Sequence, residues 1–295
     1  MRPITTPFDA LVQAYLDLPQ PACAEPLTPL PTLNGFVVAR DAPVCLVCAP
    51  HPDDESLSGA VALRLRQQHG WRVVNLAITL GSDLSRRAAR WQEAQAACDY
   101  LGFELRSPTG QPAVALERIG PDTATREPEH WSRAVALVAQ AIRDLCPAVI
   151  VAPHALDGHA AHIGTHHLVC AALAQQPGDW GCHLLWSEYW NTQLSPRLML
   201  EVSAAQAAQL MTATALHRGE VARHPYHLTL PAWFMDGARR GAERVGAPGS
   251  AASPMRMAAL YGWQRRMNGA LCDAAAMPVR TGDDLAACFG ASVSI

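Results

Sequence analysis

Six apolar residues in a row, Val44 to Ala49, begin a series in which short apolar runs alternate with longer amphipathic stretches. An apolar run without polar alternation predicts a strand covered on both faces, the usual state inside a parallel sheet. The pattern continues with a helix over about 55–69 stopped by Gly70, a strand over 71–79, a helix over about 86–101 stopped by Gly102, and a short strand near 103–106. An irregular stretch with Pro and Gly, 107–128, is expected at the surface. A helix over about 130–145 then leads through Pro147 to the strand Ala148–Ala152. After Pro153 a further helix opens, followed by strands over 183–190 and 197–202, a helix over about 204–217 and a helical C-terminal part; 246–254 reads as a mobile loop. Three successive strand–helix units imply an α/β, Rossmann-like architecture: a mostly parallel sheet with helices on both faces and right-handed crossovers. The expected division is an N-terminal extension, 1–40, a main domain, 41–220, and a helical part, 221–295, packed on that domain.

Composition narrows the class. Among 295 residues, 49% are apolar and 17% charged, which suits a globular chain with a sizeable core. The net charge of -3 and the lack of clustered Lys and Arg interleaved with aromatics give no nucleic-acid footprint. No run of about 18 apolar residues and no signal-peptide core occur, so a cytoplasmic protein without a membrane span is expected. The nine cysteines are odd in number and lie mostly in apolar surroundings, which favours free thiols over bridges.

Candidate chemistry gathers after two of the strands. His51-Pro52-Asp53-Asp54-Glu55 follows the first run directly, at the carboxyl end of a strand, where open α/β sheets bind their ligands. Hydrolytic zinc sites take three ligands from His, Asp and Glu and need a nearby base for the water. His51 and Asp54 can supply two ligands, leaving Asp53 free to act as base. The third must come from elsewhere, and residues 154–167 hold five of the chain's twelve histidines: His154, His159, His162, His166 and His167. Both segments follow strands of one presumed parallel sheet, so they share an edge.

Ordinary explanations compete. Acidic residues at a helix start are stabilised by the macrodipole. His154, His166 and His167 fit a helix surface or a supporting role, although His162 and His166 would share a helix face. Cys45, Cys48 and His51 have a metal-like spacing, but strand positions three apart face opposite sides, so the two thiols cannot reach one ion. Packing is the default role for Trp233, Phe234, Tyr261 and Trp263. No G-x-G-x-x-G turn follows the first strand, which argues against a dinucleotide enzyme.

Ala49-Pro50-His51-Pro52-Asp53-Asp54-Glu55 resembles the signature turn of the LmbE-like or PIG-L zinc N-deacetylases. The likeness continues through Thr79-Leu80-Gly81, through Arg90, Glu93, Ala97 and Leu101-Gly102, and into His159-Ala160-Ala161-His162, with a weaker match at Glu201-Val202-Ser203. It covers roughly residues 44 to 220. The resemblance implies that His51, Asp54 and His162 hold the zinc and that Asp53 is the general base; the ligand set itself accepts several divalent ions, iron(II) among them. It places His159 beside the substrate carbonyl, where it would stabilise the oxyanion or protonate the leaving amine. Arg90 and Glu93 match positions that shape the wall of the site or hold the sugar; a surface ion pair is the plainer alternative for them. The chain departs from the pattern at Ala161, where the family has Asp, and Asp157 is the candidate substitute.

The expected function is therefore zinc-dependent removal of an acyl group, acetyl first, from an amino sugar or its conjugate, N-acetylglucosamine among them. The substrate is a small molecule, and a homo-oligomer is compatible with the sequence. A carbohydrate- or metabolite-binding protein that has lost turnover, and a hydrolase of another amide, are the alternatives.

Overall fold

The run Val44–Ala49 forms β1, an interior strand of the sheet with every residue buried. The computed structural model describes residues 8–18, 38–39, 41–246 and 254–290. Helix α1, Asp9–Asp17, has no buried residue and is the main described part of the expected extension. After β1 come α2 (Asp54–Leu57), α3 (Ala60–His69), β2 (Arg72–Ala77), α4 (Arg87–Leu101) and β3 (Glu104–Arg106). Then follow α5 (Thr123–Arg126), α6 (Pro128–Leu145), β4 (Val149–Pro153), α7 (Ala160–Ala174), β5 (Cys182–Ser187), β6 (Leu198–Glu201) and α8 (Ala204–Ala215). Gly70 and Gly102 end α3 and α4 in left-handed caps, where a Cβ is costly.

Strands β3, β2, β1, β4 and β5 pair in that order, all parallel. The period of two along β1 divides the core. Cys45 and Val47 pack with Val61, Leu65, Ala97, Leu101 and Leu210 on one face. Leu46 and Cys48 pack with Val138, Ile142, Leu168 and Ala172 on the other. The two thiols thus lie on opposite faces of the sheet, apart from any shared ion. Each fully buried Leu or Val contributes about 1.5–3 kcal/mol of transfer free energy. The chain moves outward from β1 to β2 and β3, then returns to β4 on the other side of β1. The β1/β4 boundary is the topological switch point, outside which α/β sheets bind ligands.

The C-terminal part differs from the all-helical expectation. After α9 (Arg218–Val221) and α10 (Tyr226–Arg244) come three strands, β7 (Ala258–Met267), β8 (Ala270–Asp273) and β9 (Met277–Val279). β7 enters the sheet between β5 and β6, antiparallel to both, and β9 pairs with β6. The local cause is an apolar run with Tyr261 and Trp263, ended by Asn268-Gly269. Both turn residues have positive φ, 49° and 78°, the backbone of a two-residue hairpin, and β8 folds back on β7 across it. Two smaller corrections concern the main domain. The helix expected over 55–69 is split at Ser58-Gly59, and the stretch expected at the surface buries Leu116 and Ile119 and contains α5. Most of the expected loop 246–254 lies outside the described residues. Among the described residues no helix is long and apolar enough to cross a membrane.

Candidate active site

The turn after β1 aims its side chains by hydrogen bonds to its own backbone. The His51 N–H donates to Asp54 Oδ2 at 2.9 Å, which brings the imidazole and that carboxylate to one side. Across the switch point, at the start of α7, His162 meets them. His51 Nδ1, Asp54 Oδ2 and His162 Nε2 are mutually 3.3 Å apart. Ligands about 2.0–2.1 Å from a tetrahedral ion stand about 3.3–3.4 Å from one another, so the triangle has the dimensions of one face of a zinc site.

The charges agree with that fit. Burial opposes ionisation of Asp54, but His162 and His51 outweigh it and hold the carboxyl well below its usual range. Burial also opposes charging His162, but the Asp54 and Asp157 carboxylates push its pKa up to about 10. The triangle thus needs a positive charge, which a proton or a metal ion can provide.

His159 belongs to a second possible grouping, since one ligand atom each of His51, His159 and His162 lie within 4.8 Å of one another. The capping geometry assigns it another part. His159 is the N-cap of α7, and its Nδ1 accepts the Ala161 N–H at 3.2 Å. In the neutral ring the proton is then on Nε2, which becomes a donor without a lone pair for a metal. Burial, with the nearby His51 and His162, lowers the pKa of this ring.

Asp157 is buried beneath both histidines. Its Oδ1 accepts the His159 backbone N–H at 2.9 Å and lies 3.5 Å from His162 Nδ1, while Oδ2 accepts the Trp190 N–H at 3.3 Å. The carboxylate therefore stands behind the ring of His162. Ala161 contributes only its backbone N–H to His159.

Asp53 has φ 117° and ψ -30°, outside the regions open to L-residues, a conformation costing on the order of 1–3 kcal/mol. Its carbonyl accepts the N–H groups of Ser56 and Leu57 at 3.0 and 3.1 Å, and its N–H donates to Glu55 Oε2 at 3.0 Å. Burial above all, then the Asp54 and Glu55 carboxylates, raises its carboxyl pKa well above the ordinary value, with Arg90 opposing.

Arg90, on α4, lines the cleft with Asp53. It donates to Pro52 O at 3.3 Å and Leu80 O at 3.4 Å, and its Nε lies 3.5 Å from Glu220. Gly81, at φ 83°, makes room for it: a Cβ there would lie 2.1 Å from Arg90 Nη1. Glu93 is not brought to the cleft; its Oε1 accepts the Gly219 N–H at 2.9 Å. The structure pairs Arg90 with Glu220, not with Glu93.

Residues 46–173, from β1 to the end of α7, match the family described as PIG-L, GlcNAc-PI de-N-acetylase. The match is to the PIG-L family, over a little under half of the chain. A curated relative from Mycobacterium leprae, 1D-myo-inositol 2-acetamido-2-deoxy-alpha-D-glucopyranoside deacetylase, is 30% identical over 179 residues, covering 50% of this chain and 56% of the relative. The chain thus spans little more than half the length of that relative. A conserved protein of Thermus thermophilus, TT1542, superposes with a TM-score of 0.54 at 22% identity, over 74% of this chain and 92% of its own. The N,N'-diacetylchitobiose deacetylase of Pyrococcus horikoshii gives a TM-score of 0.52 at 15% identity, over 91% and 96%. These likenesses establish a shared LmbE/PIG-L fold, and at such identities they speak to the fold alone.

The matched stretch supplies the triangle, Asp53 and His159, while residues beyond it build the opposite wall of a cleft of about 690 Å³. Tyr189 sets its ring edge-on to His162 at 4.7 Å and donates to Ser58 Oγ at 2.7 Å. Trp190 stacks on His159 at 6.2 Å and meets Tyr226, which in turn packs against Trp233. Trp190 and Trp233 are 55% and 39% exposed, enough to meet a ligand. Of the aromatics expected to pack, Trp233 lines this cleft, whereas Phe234, Tyr261 and Trp263 are in the core. Sequence reasoning missed Tyr189, Trp190, His217, Glu220 and Tyr226. The only available signal was the polar and aromatic cluster Ser187-Glu188-Tyr189-Trp190-Asn191 after a strand.

Proposed function

We propose that this protein is a metal-dependent N-deacetylase, zinc first, acting on an amino sugar or amino-sugar conjugate. The observation that carries the reading is the 3.3 Å triangle of His51, Asp54 and His162 at the switch point, with Asp53 and His159 beside it in one cleft. The family description and the curated relative's name both concern removal of acetyl from a glucosamine nitrogen, which supports that substrate class for this chain. His51, Asp54 and His162 would hold the ion. When bound, a divalent ion there supplies Lewis acidity toward an amide carbonyl and acidifies water.

The remaining steps belong to side chains. Asp53 lines the cleft and, kept ionised by a cation held at the triangle, would take the proton of the attacking water. His159 Nε2–H donates to the carbonyl oxygen as negative charge develops there. Asp53 then carries its proton to the departing amine, since the Nδ1 contact of His159 dedicates that ring to donation from Nε2. The exposed faces of Trp190 and Trp233 offer stacking surfaces for a sugar or its aglycone.

Elemental analysis of the purified protein, together with acetate release from an N-acetylglucosamine conjugate, tests the reading. The expected result is one divalent ion per chain and a kcat that falls about 100- to 10,000-fold to a measurable residue in Asp53→Asn, with the ion retained. Metal without turnover on any N-acetyl amino sugar would favour the binding-protein alternative. His159→Ala with wild-type activity across pH would remove that residue from the mechanism.

A further inference from the structure

Beneath the site lies a buried pair that the mechanism above does not use. Glu55 Oε1 and His217 Nε2 are 2.7 Å apart, and both side chains are fully inaccessible. Removing two ionisable groups from water is expensive, and apolar residues of similar size commonly stabilise a fold as well or better. Stability alone is a poor reason for the pair. Its other connection is specific: the second oxygen of Glu55 accepts the N–H of Asp53, the residue at φ 117°.

The same end of α8 makes a further contact with this turn. Ser56 Oγ donates to Asp53 O at 2.8 Å and lies 3.0 Å from Thr214 Oγ1, also buried. His217, two residues beyond α8, thus holds Glu55, and Glu55 holds the amide of Asp53. Rotation about the N–Cα bond of Asp53 swings its carboxylate relative to the triangle, so fixing that amide fixes the aim of the carboxylate.

We infer that His217 is a positioning residue which, through Glu55, holds the strained backbone of Asp53 so that its carboxylate faces the cleft. The inference rests on the deacetylase reading for its kinetic consequence and on geometry alone for its structural one. Misplacing a reacting group by about 1 Å can cost about 100-fold in rate.

The test compares His217→Leu, His217→Gln and Glu55→Gln with the wild type. It measures zinc affinity with the metal alone, kcat and KM on an N-acetylglucosamine conjugate, and hydrogen exchange at the Asp53 amide. His217→Leu is expected to lower kcat by about 10- to 100-fold, leave KM and zinc affinity within twofold, and lose protection at the Asp53 amide. His217→Gln, which can still donate to Glu55, restores most of both. If His217→Leu does not fold, Glu55→Gln decides on the same readouts, since a weakened acceptor for the Asp53 N–H should reduce protection and kcat together. In an Asp53→Asn background, His217→Leu should cause no further loss of kcat. Unchanged exchange at Asp53, or an equal loss in that background, overturns the inference. A wild-type protein that releases no acetate would instead sink the deacetylase reading, with exchange at Asp53 still judging the positioning.

Discussion

Replacing Asp157 by Asn removes one charge behind His162 while keeping the shape of the side chain. The two side chains are 0% and 1% exposed, and Asp157 Oδ1 is 3.5 Å from His162 Nδ1. For unit charges at that distance, Coulomb's law gives about 1 kcal/mol in water and about 5 kcal/mol at an effective dielectric of 20. Carboxylates that support a ligating imidazole are typically worth 10- to 100-fold in metal affinity, about 1.4–2.7 kcal/mol, inside that bracket. Asn can still accept one of the two backbone N–H groups that Asp157 holds, from His159 and Trp190. The fold should therefore survive with a loss of about 1–3 kcal/mol. Titration of metal-free protein with zinc against a chromophoric chelator measures the effect, with His51→Ala as the non-binding control. The expected outcome is zinc binding about 10- to 100-fold weaker in Asp157→Asn. Affinity within twofold of wild type, in a variant that folds, would show that Asp157 does not support His162.

Further outcomes follow from other parts of the molecule. Gly81→Ala sets a Cβ 2.1 Å from Arg90 Nη1 at φ 83°; the backbone alone should cost about 1–2 kcal/mol, read by urea unfolding, and KM should rise as Arg90 is displaced. Tyr261→Phe deprives Ser58 O and the Val61 N–H of a buried partner, at 2.9 and 3.3 Å, and should lower stability by about 1–3 kcal/mol. Burial, with Arg265, pushes the His183 ring down to about 4, and its Nδ1 accepts the Trp263 Nε1–H. The unfolded chain takes up this proton near pH 6.5, so His183 makes stability fall as pH drops from about 6.5 to about 4. His183→Gln should lose less stability than wild type between pH 7 and pH 5; an equal loss would refute the assignment.

The parts that could be read from sequence are those whose causes are local or periodic. β1 and β4 are continuous apolar runs, and their chemistry follows in the next few residues, so the strands and their shared edge could be inferred together. The contact of Arg90 with Glu220 could not, because it joins two helices far apart in the chain and leaves no periodic trace. Asp157 was visible as a candidate, but spacing does not tell whether a carboxylate supports His159 or His162. β7 was legible and missed: Asn268-Gly269 is a strong hairpin signal, and an expectation of helices obscured it. The break at Ser58-Gly59 depends on Ser58 Oγ donating to Asp54 O, a bond that only the folded turn creates.

The threading of β7 between β5 and β6 also orders the events of synthesis. The five parallel strands lie upstream and can assemble as the chain emerges from the ribosome. β6 emerges early as well, but its seat on β7 does not exist until residues near 260 are made. Until then the nascent chain carries an open β5 edge and an unattached β6, both able to pair wrongly. A pause or truncation before Ala258 should therefore produce aggregation from this side of the sheet, while the half that bears the histidines has already formed.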